Sequence, residues 1–561
     1  PYDTVGSRVG DLTMIVKQYL TGYNDRGEPV MENNKVYRIS EINMLPGYDP
    51  TVSFTDREVR YDTVAYRGLN VVYDGKHNVR PRVLRQAIPL YPNYLYNAEQ
   101  INRTYNNIMS LGYFKSTRIT FDELPAPDST NLVSYIGNAD DSLATQYTQE
   151  GYLRCNILGT PQLKQSYKID LEGTTTSSFY GLKASVGYQN RNLFRGMESF
   201  DIAFSIGHEF MKSRDSGKRN AKEFGVTAGS RYRPSLVTPR TRLELSFNYQ
   251  DRPYYRRTLT SMTWTYSWSN EKYSSFAVRP VDLNLVDMSY INQDFFEKLQ
   301  NLYLRNSYTS QLVAGISGSY TYNNQLKNPG RNATLVRFNW ETAGNLIGGL
   351  EHLFSSPAKG KDYDEIFGIQ YSQYFRVDLS ASRKIMLGEK TAIAGRLYAG
   401  CGLAYGNSTS IPFDRLFYCG GSNGMRGWIP RMLGPGSVPV DPDKVTYPVQ
   451  LGDMKLEANL EFRFPIWGIF HGATFFDVGN IWFMGNSAEE YPPEAVFHIR
   501  DFYKQLGFNT GLGIRLDIKF AVLRLDWGIQ LHNPNNPAGK RWIHDFKWSN
   551  TALNFGVGYP F

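Results

Sequence analysis

The sequence is poor in the features that most proteins use to do chemistry or to cross a membrane by helices. Cysteine occurs three times in 561 residues, at Cys155, Cys401 and Cys419. Three thiols build no disulfide framework; Cys401 and Cys419 could form one bridge, and otherwise all three stand as isolated thiols. No apolar run reaches the roughly 18 residues that a helical membrane span needs. Neither a His-Glu-x-x-His pair nor a phosphate-cradling P-loop occurs, so nothing points to a metal or a catalytic site of those kinds. Charge of one sign is missing too: 61 Lys and Arg interleave with 53 Asp and Glu. The net +8 therefore has no basic run behind it, which excludes nucleic acid as a partner. The chain starts at Pro1 without an export signal or initiator methionine, so its N-terminus is expected to be processed or truncated.

What the sequence does contain is aromatic side chains, 14% of residues with 40 tyrosines, at a mean hydropathy of only −0.43. A transmembrane β-barrel hides in such a composition, because each outward apolar residue alternates with an inward polar one. From about Gln165 the period becomes two and stays so. Tyr167, Ile169 and Leu171 alternate with polar residues, as do Leu182, Ala184, Val186 and Tyr188, then Phe200, Ile202, Phe204 and Ile206. Strands centred near Ile169, Ala184, Phe204, Val226, Leu245, Trp264, Phe276, Ser317, Phe338, Phe375, Leu397, Leu460, Phe475, Leu512, Leu523 and Phe555 make 16, an even number as such barrels require. The twelfth displays both faces: Leu456, Ala458, Leu460, Phe462 and Phe464 toward lipid, Lys455, Glu457, Asn459, Glu461 and Arg463 toward the lumen. A soluble sandwich alternates as well, but not over nearly 400 residues with tight turns and long loops taking turns.

Ahead of this region the pattern differs. Residues 1–35 read as the end of an upstream module, with a strand over Leu12 to Leu20 and a polar linker over Gly22–Asn34. Residues 36–163 read as a unit of order β-α-α-β-β. Its first strand begins at Val36, and a long irregular insertion follows. Helices then cover Arg82 to Ile88 and the stretch after Asn97, with Gln100 completing a capping box and Gly112 ending the second helix. Strands over Lys115–Phe121 and Gly151–Leu158 complete it. Residues 164–561 form the barrel, interrupted by a helical stretch over Asp287–Tyr308 in the fourth extracellular loop, with Phe295, Leu299, Leu302 and Tyr303 on one face.

Two segments carry functional expectations. The first is Tyr418-Cys419-Gly420-Gly421-Ser422-Asn423-Gly424-Met425-Arg426-Gly427-Trp428, in a long loop. Its glycines allow a tight fold-back, and Arg426 stands at the tip. By spacing alone Arg426 also fits a solvated arginine beside a turn. In a closed lumen, however, a guanidinium seeks a carboxylate, and Asp477, Glu461, Arg515 and Asp526 could share the facing wall. Gly420-Gly421-Ser422-Asn423-Gly424 matches Gly-x-Ser-x-Gly but lacks the strand-turn-helix context and the following acid and histidine of a hydrolase elbow. The second segment is the C-terminal strand. Leu553, Phe555, Val557, Tyr559 and Phe561 fall on one face, and Ala552, Asn554, Gly556, Gly558 and Pro560 on the other. Gly556, Gly558 and Pro560 weaken its pairing with the first strand.

These segments resemble the BamA/TamA superfamily of outer-membrane assembly barrels. The loop Gly420–Trp428, followed by Leu433-Gly434-Pro435-Gly436-Ser437, is most similar to the sixth extracellular loop of the TamA-like branch called TamL, and Arg191-Asn192-Leu193-Phe194-Arg195-Gly196 resembles that branch again. Phe475-Phe476-Asp477-Val478-Gly479 resembles the family's Phe-x-Asp-x-Gly, whose aspartate pairs with the loop arginine. The terminal aromatic resembles a barrel-targeting β-signal. Residues 36–163, with Leu111-Gly112-Tyr113-Phe114 after the second helix, resemble a POTRA (polypeptide-transport-associated) domain, whose sheet edge could accept an extended client strand. The resemblance implies a mostly β protein, a 16-stranded antiparallel barrel in the bacterial outer membrane preceded by a periplasmic α+β POTRA domain. It implies insertion or translocation of β-barrel clients through a lateral seam, among outer-membrane lipid, with a TamB-like periplasmic partner, no cofactor and no enzymatic activity. The alternatives are a two-partner-secretion transporter that passes a polypeptide through the pore, and a passive pore.

Overall fold

The N-terminal segment pairs where a linker was expected. In the computed structural model, residues 2–3, 11–12, 19–51 (save 25, 33 and 34), 61–125, 150–175, 179–211, 220–232, 239–293 (save 254, 271 and 272), 296, 309–325, 332–349, 356–357, 363–439, 450–485, 491–518, 521–543 and 546–561 are described. Strands β1 (Tyr2–Asp3) and β2 (Asp11–Leu12) pair antiparallel, as do β3 (Tyr19–Tyr23) and β4 (Pro29–Glu32). The Gly22–Asn34 stretch is thus mostly hairpin, turned at Gly27 with φ +77°. Of the strand expected from Leu12 to Leu20, residues 13–18 lie outside the described residues.

The chain divides into two units: Pro1–Ser166 with Gln189–Phe200 and Tyr232–Thr238, and Tyr167–Tyr188 with Asp201–Arg231 and Pro239–Phe561. The first contains a five-stranded sheet made of β5 (Val36–Leu45), β6 (Tyr61–Tyr66), β7 (Leu69–Asp74), β8 (Phe114–Leu124) and β9 (Glu150–Pro161), in the order β6-β7-β5-β9-β8. Strand β5 runs parallel to both of its neighbours. Strands β6 and β7 lie in the stretch expected to be irregular. Their two-residue turn, Arg67-Gly68, has positive φ at both positions, which matches the twist of a hairpin. Helices α1 (Pro81–Ala87) and α2 (Ala98–Ser110) pack with the sheet around Ile42, Met44, Val71, Leu84, Ile108 and Ile157. The Asn97 side chain caps α2 by accepting from the Glu99 and Gln100 amides, and Gly112, at φ +72°, follows its end. Cys155 is enclosed in this core, and burial pushes its thiol up to about 12. The Arg191–Gly196 turn belongs to the same unit: Asn192 donates to the Asn78 carbonyl at 2.7 Å and Met197 joins the core.

The second unit is one 16-stranded sheet. Its strands are β10 (Gln165–Thr175), β11 (Phe179–Asn190), β12 (Ser199–Met211), β13 (Ala221–Tyr232), β14 (Arg240–Asp251), β15 (Tyr255–Ser269), β16 (Ser274–Ile291), β17 (Gln311–Asn323) and β18 (Ala333–Ala343). Strands β19 (Ser356–Pro357), β20 (Asp364–Ile366) and β21 (Ile369–Gln370) form a separate three-stranded sheet, beside which Tyr371 bridges Leu312 of β17. The large sheet then continues with β22 (Tyr374–Met386), β23 (Ala392–Ala404), β24 (Met454–Trp467), β25 (Phe470–Trp482), β26 (Gly507–Asp517), β27 (Val522–His532) and β28 (Thr551–Val557). Each pairs with its chain neighbour in this series, leaving β10 and β28 at the two ends of the order. Alternation sorts the side chains as the pattern requires. On β24, Leu460 is 53% exposed on the outer face, whereas Glu457, Asn459, Glu461 and Arg463 are buried on the inner one.

Two expectations change here, and one open alternative closes. Asp287–Ile291 is strand rather than helix, because β16 runs through Ile291, whereas Gln293 and Phe296 beyond it are helical; Phe295, Leu299, Leu302 and Tyr303 lie outside the described residues. The last strand does not keep its alternation to the end. Leu553, Phe555 and Val557 are exposed on the outer face, but Gly558 takes φ +83° and breaks the strand. The chain then turns inward, so that the Tyr559 ring lies 4.3 Å from the Arg463 guanidinium and the Phe561 ring 5.5 Å from that of Arg396. Finally, all three cysteines are free thiols, so Cys401 and Cys419 form no bridge.

Candidate functional site: the arginine loop and its cage

The loop after β23 folds back because its glycines accept what other residues cannot. Gly420 has φ +102°, and a Cβ there would lie 2.2 Å from the Ile429 carbonyl oxygen. The Gly421 amide then closes the turn on the Trp428 carbonyl at 2.8 Å. A Cβ on Gly427 would lie 2.6 Å from that of Asn509, so this glycine lets the tip press against β26. Met425 and Trp428 bury their side chains with Phe417, Cys419, Leu433 and Ile481 in an apolar cluster. The tip is therefore packed, with Arg426 aimed at the inner wall. Ser422 lies within turns rather than at a strand-to-helix junction, as the sequence context required.

Arg426 is fully buried. Its Nε donates to Asp477 Oδ2 at 3.0 Å and its Nη2 to Asp477 Oδ1 at 2.8 Å, a bidentate pair. The Arg426 backbone amide donates to the same carboxylate at 3.2 Å, and Nη1 donates to Glu461. The Phe475 ring lies beneath the guanidinium, 3.7 Å from its centre. Asp477 also accepts from Asn459 at 3.0 Å and Asn509 at 2.9 Å. A network continues from Glu461, which accepts from Arg463 at 2.8 Å and Arg515 at 3.2 Å. Arg515 in turn pairs with Asp526, which takes a further bond from Arg524 at 2.8 Å. Asp477, Glu461, Arg515 and Asp526 thus meet in one cage with Arg426. Burying any of these charges alone would be costly, and the network compensates each by proximity and direct hydrogen bonds.

Several participants carried no individual signal. Asn509 looks like any inner-face polar residue, and Arg524 reaches the loop as well as Asp526 on the wall. It donates to the Ser422 carbonyl at 2.6 Å and also bonds Asn423. Asn459 and Gln530 likewise donate to the carbonyls of Gly424 and Gly427, at 3.1 and 2.9 Å. A second anchor holds the start of the loop, where Arg415 pairs with Glu341 of β18 at 3.1 Å and its carbonyl accepts from Arg376 at 2.9 Å. Of the last-strand residues singled out in the sequence, Leu553, Phe555 and Val557 face outward, whereas Gly556 lies against Arg524, Tyr559 lies on Arg463 and Phe561 brings its ring within 5.9 Å of the Arg426 guanidinium.

A 16-stranded antiparallel sheet with an inward-folded, salt-bridged loop and an N-terminal α+β unit defines an outer-membrane barrel with a periplasmic POTRA domain. The chain belongs to the Omp85 superfamily: the Omp85 superfamily domain model matches residues 156–561. The POTRA model, described as a surface antigen variable number repeat, matches residues 69–137, within the unit expected over 36–163. The chain is 23% identical over 466 residues to the outer membrane protein assembly factor BamA of Neisseria meningitidis serogroup B, covering 80% of this chain and 50% of that protein. It thus spans about half the length of this curated relative. Among solved structures it is similar to BamA from Haemophilus ducreyi lacking POTRA domains 1–3, with TM-score 0.53 and 13% identity, covering 89% and 88% of the two chains. It also aligns with CdiB from Escherichia coli at TM-score 0.45 and 11% identity, over 96% and 92% of the chains.

Proposed function

We propose that this protein inserts or translocates β-barrel proteins at the outer membrane through the edge between β10 and β28. The observation that carries this reading is the asymmetry of those strands. Strand β28 has 7 residues, whereas the other fifteen have 11 to 18, and its continuation bends inward at Gly558. Strand β10 exposes Tyr167, Ile169 and Leu171, and its intervening Lys168 side chain is 76% exposed as well. A short strand forms few ladder bonds, each worth about 0.5–1.5 kcal/mol net, so this edge opens at lower cost than any interior pair. An exposed edge is itself a template for an incoming strand. The POTRA sheet offers a second template at β6 or β8, its two outer strands. No enzymatic step or cofactor is needed: strand pairing and burial of client surface in lipid supply the driving force. The TamL-like loop residues point to a TamB-like protein as the periplasmic partner.

The test is a cysteine pair joining residues 167–171 to residues 553–557 in a background without the three native thiols. Oxidation should block client assembly and reduction should restore it. Crosslinked protein with full assembly activity would overturn the lateral route in favour of a two-partner-secretion transporter. Against a passive pore stands the folded-in loop, whose Arg426 is buried and bonded to the inner wall at Asp477. Deleting residues 420–428 should accordingly raise planar-bilayer conductance.

A further inference from the structure

We propose that the inner face of β28 is a built seat for the tip of the arginine loop, with Asn554 as its positioning residue, so that loop and closing strand loosen together. Three successive inner positions of β28 are shaped by the loop. Ala552 pairs with Gly528 of β27, and a Cβ on Gly528 would lie 2.3 Å from the Arg426 carbonyl oxygen. Two of the smallest residues therefore make room for the backbone of the tip. Asn554, 7% exposed, donates from Nδ2 to that same carbonyl at 2.8 Å. Gly556 pairs with Arg524, and a Cβ there would lie 2.6 Å from Arg524 Nε. Its missing side chain lets the guanidinium lie across β28 and reach the Ser422 carbonyl and Asn423.

Gly556 thus has a positive role, beyond the weakened pairing that its sequence context implied. Arg426 ties three strands at once: its side chain holds Glu461 of β24 and Asp477 of β25, and its carbonyl holds Asn554 of β28. Strand β28 otherwise has a ladder of seven residue pairs with β27. If the tip leaves, β28 keeps that ladder but loses its inner support, and the Asn554 amide is left buried without this acceptor. Linkage makes the effect reciprocal, so whatever the loop contributes to holding β28, β28 contributes to holding the loop. Its use in client entry rests on the seam reading above; the coupling itself does not.

Hydrogen–deuterium exchange on the full chain in lipid nanodiscs tests the seat. Asn554→Leu should speed exchange about five-fold or more in both 551–557 and 420–428, the loss expected for one hydrogen bond, with β22 and β23 unchanged as the control for folding. Asn554→Gln, which keeps a donor, should recover most of the protection. Arg426→Ala should loosen 551–557 as well as its own loop. The seat is overturned if either substitution loosens its own segment and leaves the other at the wild-type rate. Client insertion measured on the same variants separates the two readings. Coupled exchange with unchanged insertion sustains the seat and overturns the seam, whereas uncoupled exchange overturns the seat whatever the clients do.

Discussion

Arg426 and Asp477 meet through three hydrogen bonds, two from the guanidinium and one from the arginine's own backbone amide. The carboxylate therefore fixes the loop's main chain as well as its charge. Arg426→Ala should destabilise the seated loop by about 3–5 kcal/mol, the usual cost of orphaning one member of a buried pair. The sheet should still insert, because the strand-to-strand ladders, including that of β28 with β27, do not run through the tip. Cys419, fully buried in the loop's apolar cluster, is the native reporter. Its alkylation should be slow in the wild type and fast in the variant. The double change Arg426→Ala with Asp477→Ala should cost less than the sum of the single changes, since the two residues share one interaction. Additive costs would show that they act separately.

Gly528 makes a sharper steric test. A methyl group there would meet the Arg426 carbonyl oxygen at 2.3 Å and the Gly427 nitrogen at 2.8 Å, both backbone atoms of the tip. Gly528→Ala should therefore displace the loop at a cost of about 1–3 kcal/mol. Gly395→Ala is the matched control, because its nearest contact would be 3.7 Å away. Raised Cys419 alkylation in the first variant and none in the second is the expected result; equal rates would argue that the tip does not rest on β27.

The POTRA domain has its own pH dependence. Arg38 donates from Nε and Nη2 to Glu150, at 3.0 and 2.9 Å, and this hydrogen bonding holds the carboxyl below its usual range. A carboxyl depressed in the folded state contributes stability above its unfolded value, about 4.3, and loses it as pH falls through the folded value. Glu150→Gln should thus be less stable than wild type at pH 7, with the gap closing below about pH 4. Exchange protection of β5 and β9 in the full chain measures this. A gap that persists into acid would assign the loss to packing instead.

The sheet was legible because alternation survives everywhere a strand has one lipid face and one wet face. Each of the sixteen centres, from Ile169 to Phe555, falls inside a strand. The β6–β7 hairpin was hidden because Arg67-Gly68 is a less familiar turn pair than Asn-Gly, although Leu69, Val71 and Tyr73 alternate plainly. Asp477 could be placed opposite Arg426 from its neighbours in the sequence. Asn509 and Arg524 could not, since inner-face polar residues look alike until the loop's position selects those that touch it. The inward bend at Gly558 is hidden for a related reason: the alternation of Tyr559 and Phe561 continues in sequence after the strand has ended in space.

The space left by Gly556 has a consequence for how such chains can diverge. Positions 524 and 556 face each other across one ladder rung, and the long cation occupies the room of the absent side chain. A relative that acquires bulk at the second position must shorten or redirect the first, and then lose or replace the contact to Ser422. The two positions should covary across the family, linking a residue near the chain's end to a loop more than a hundred positions upstream.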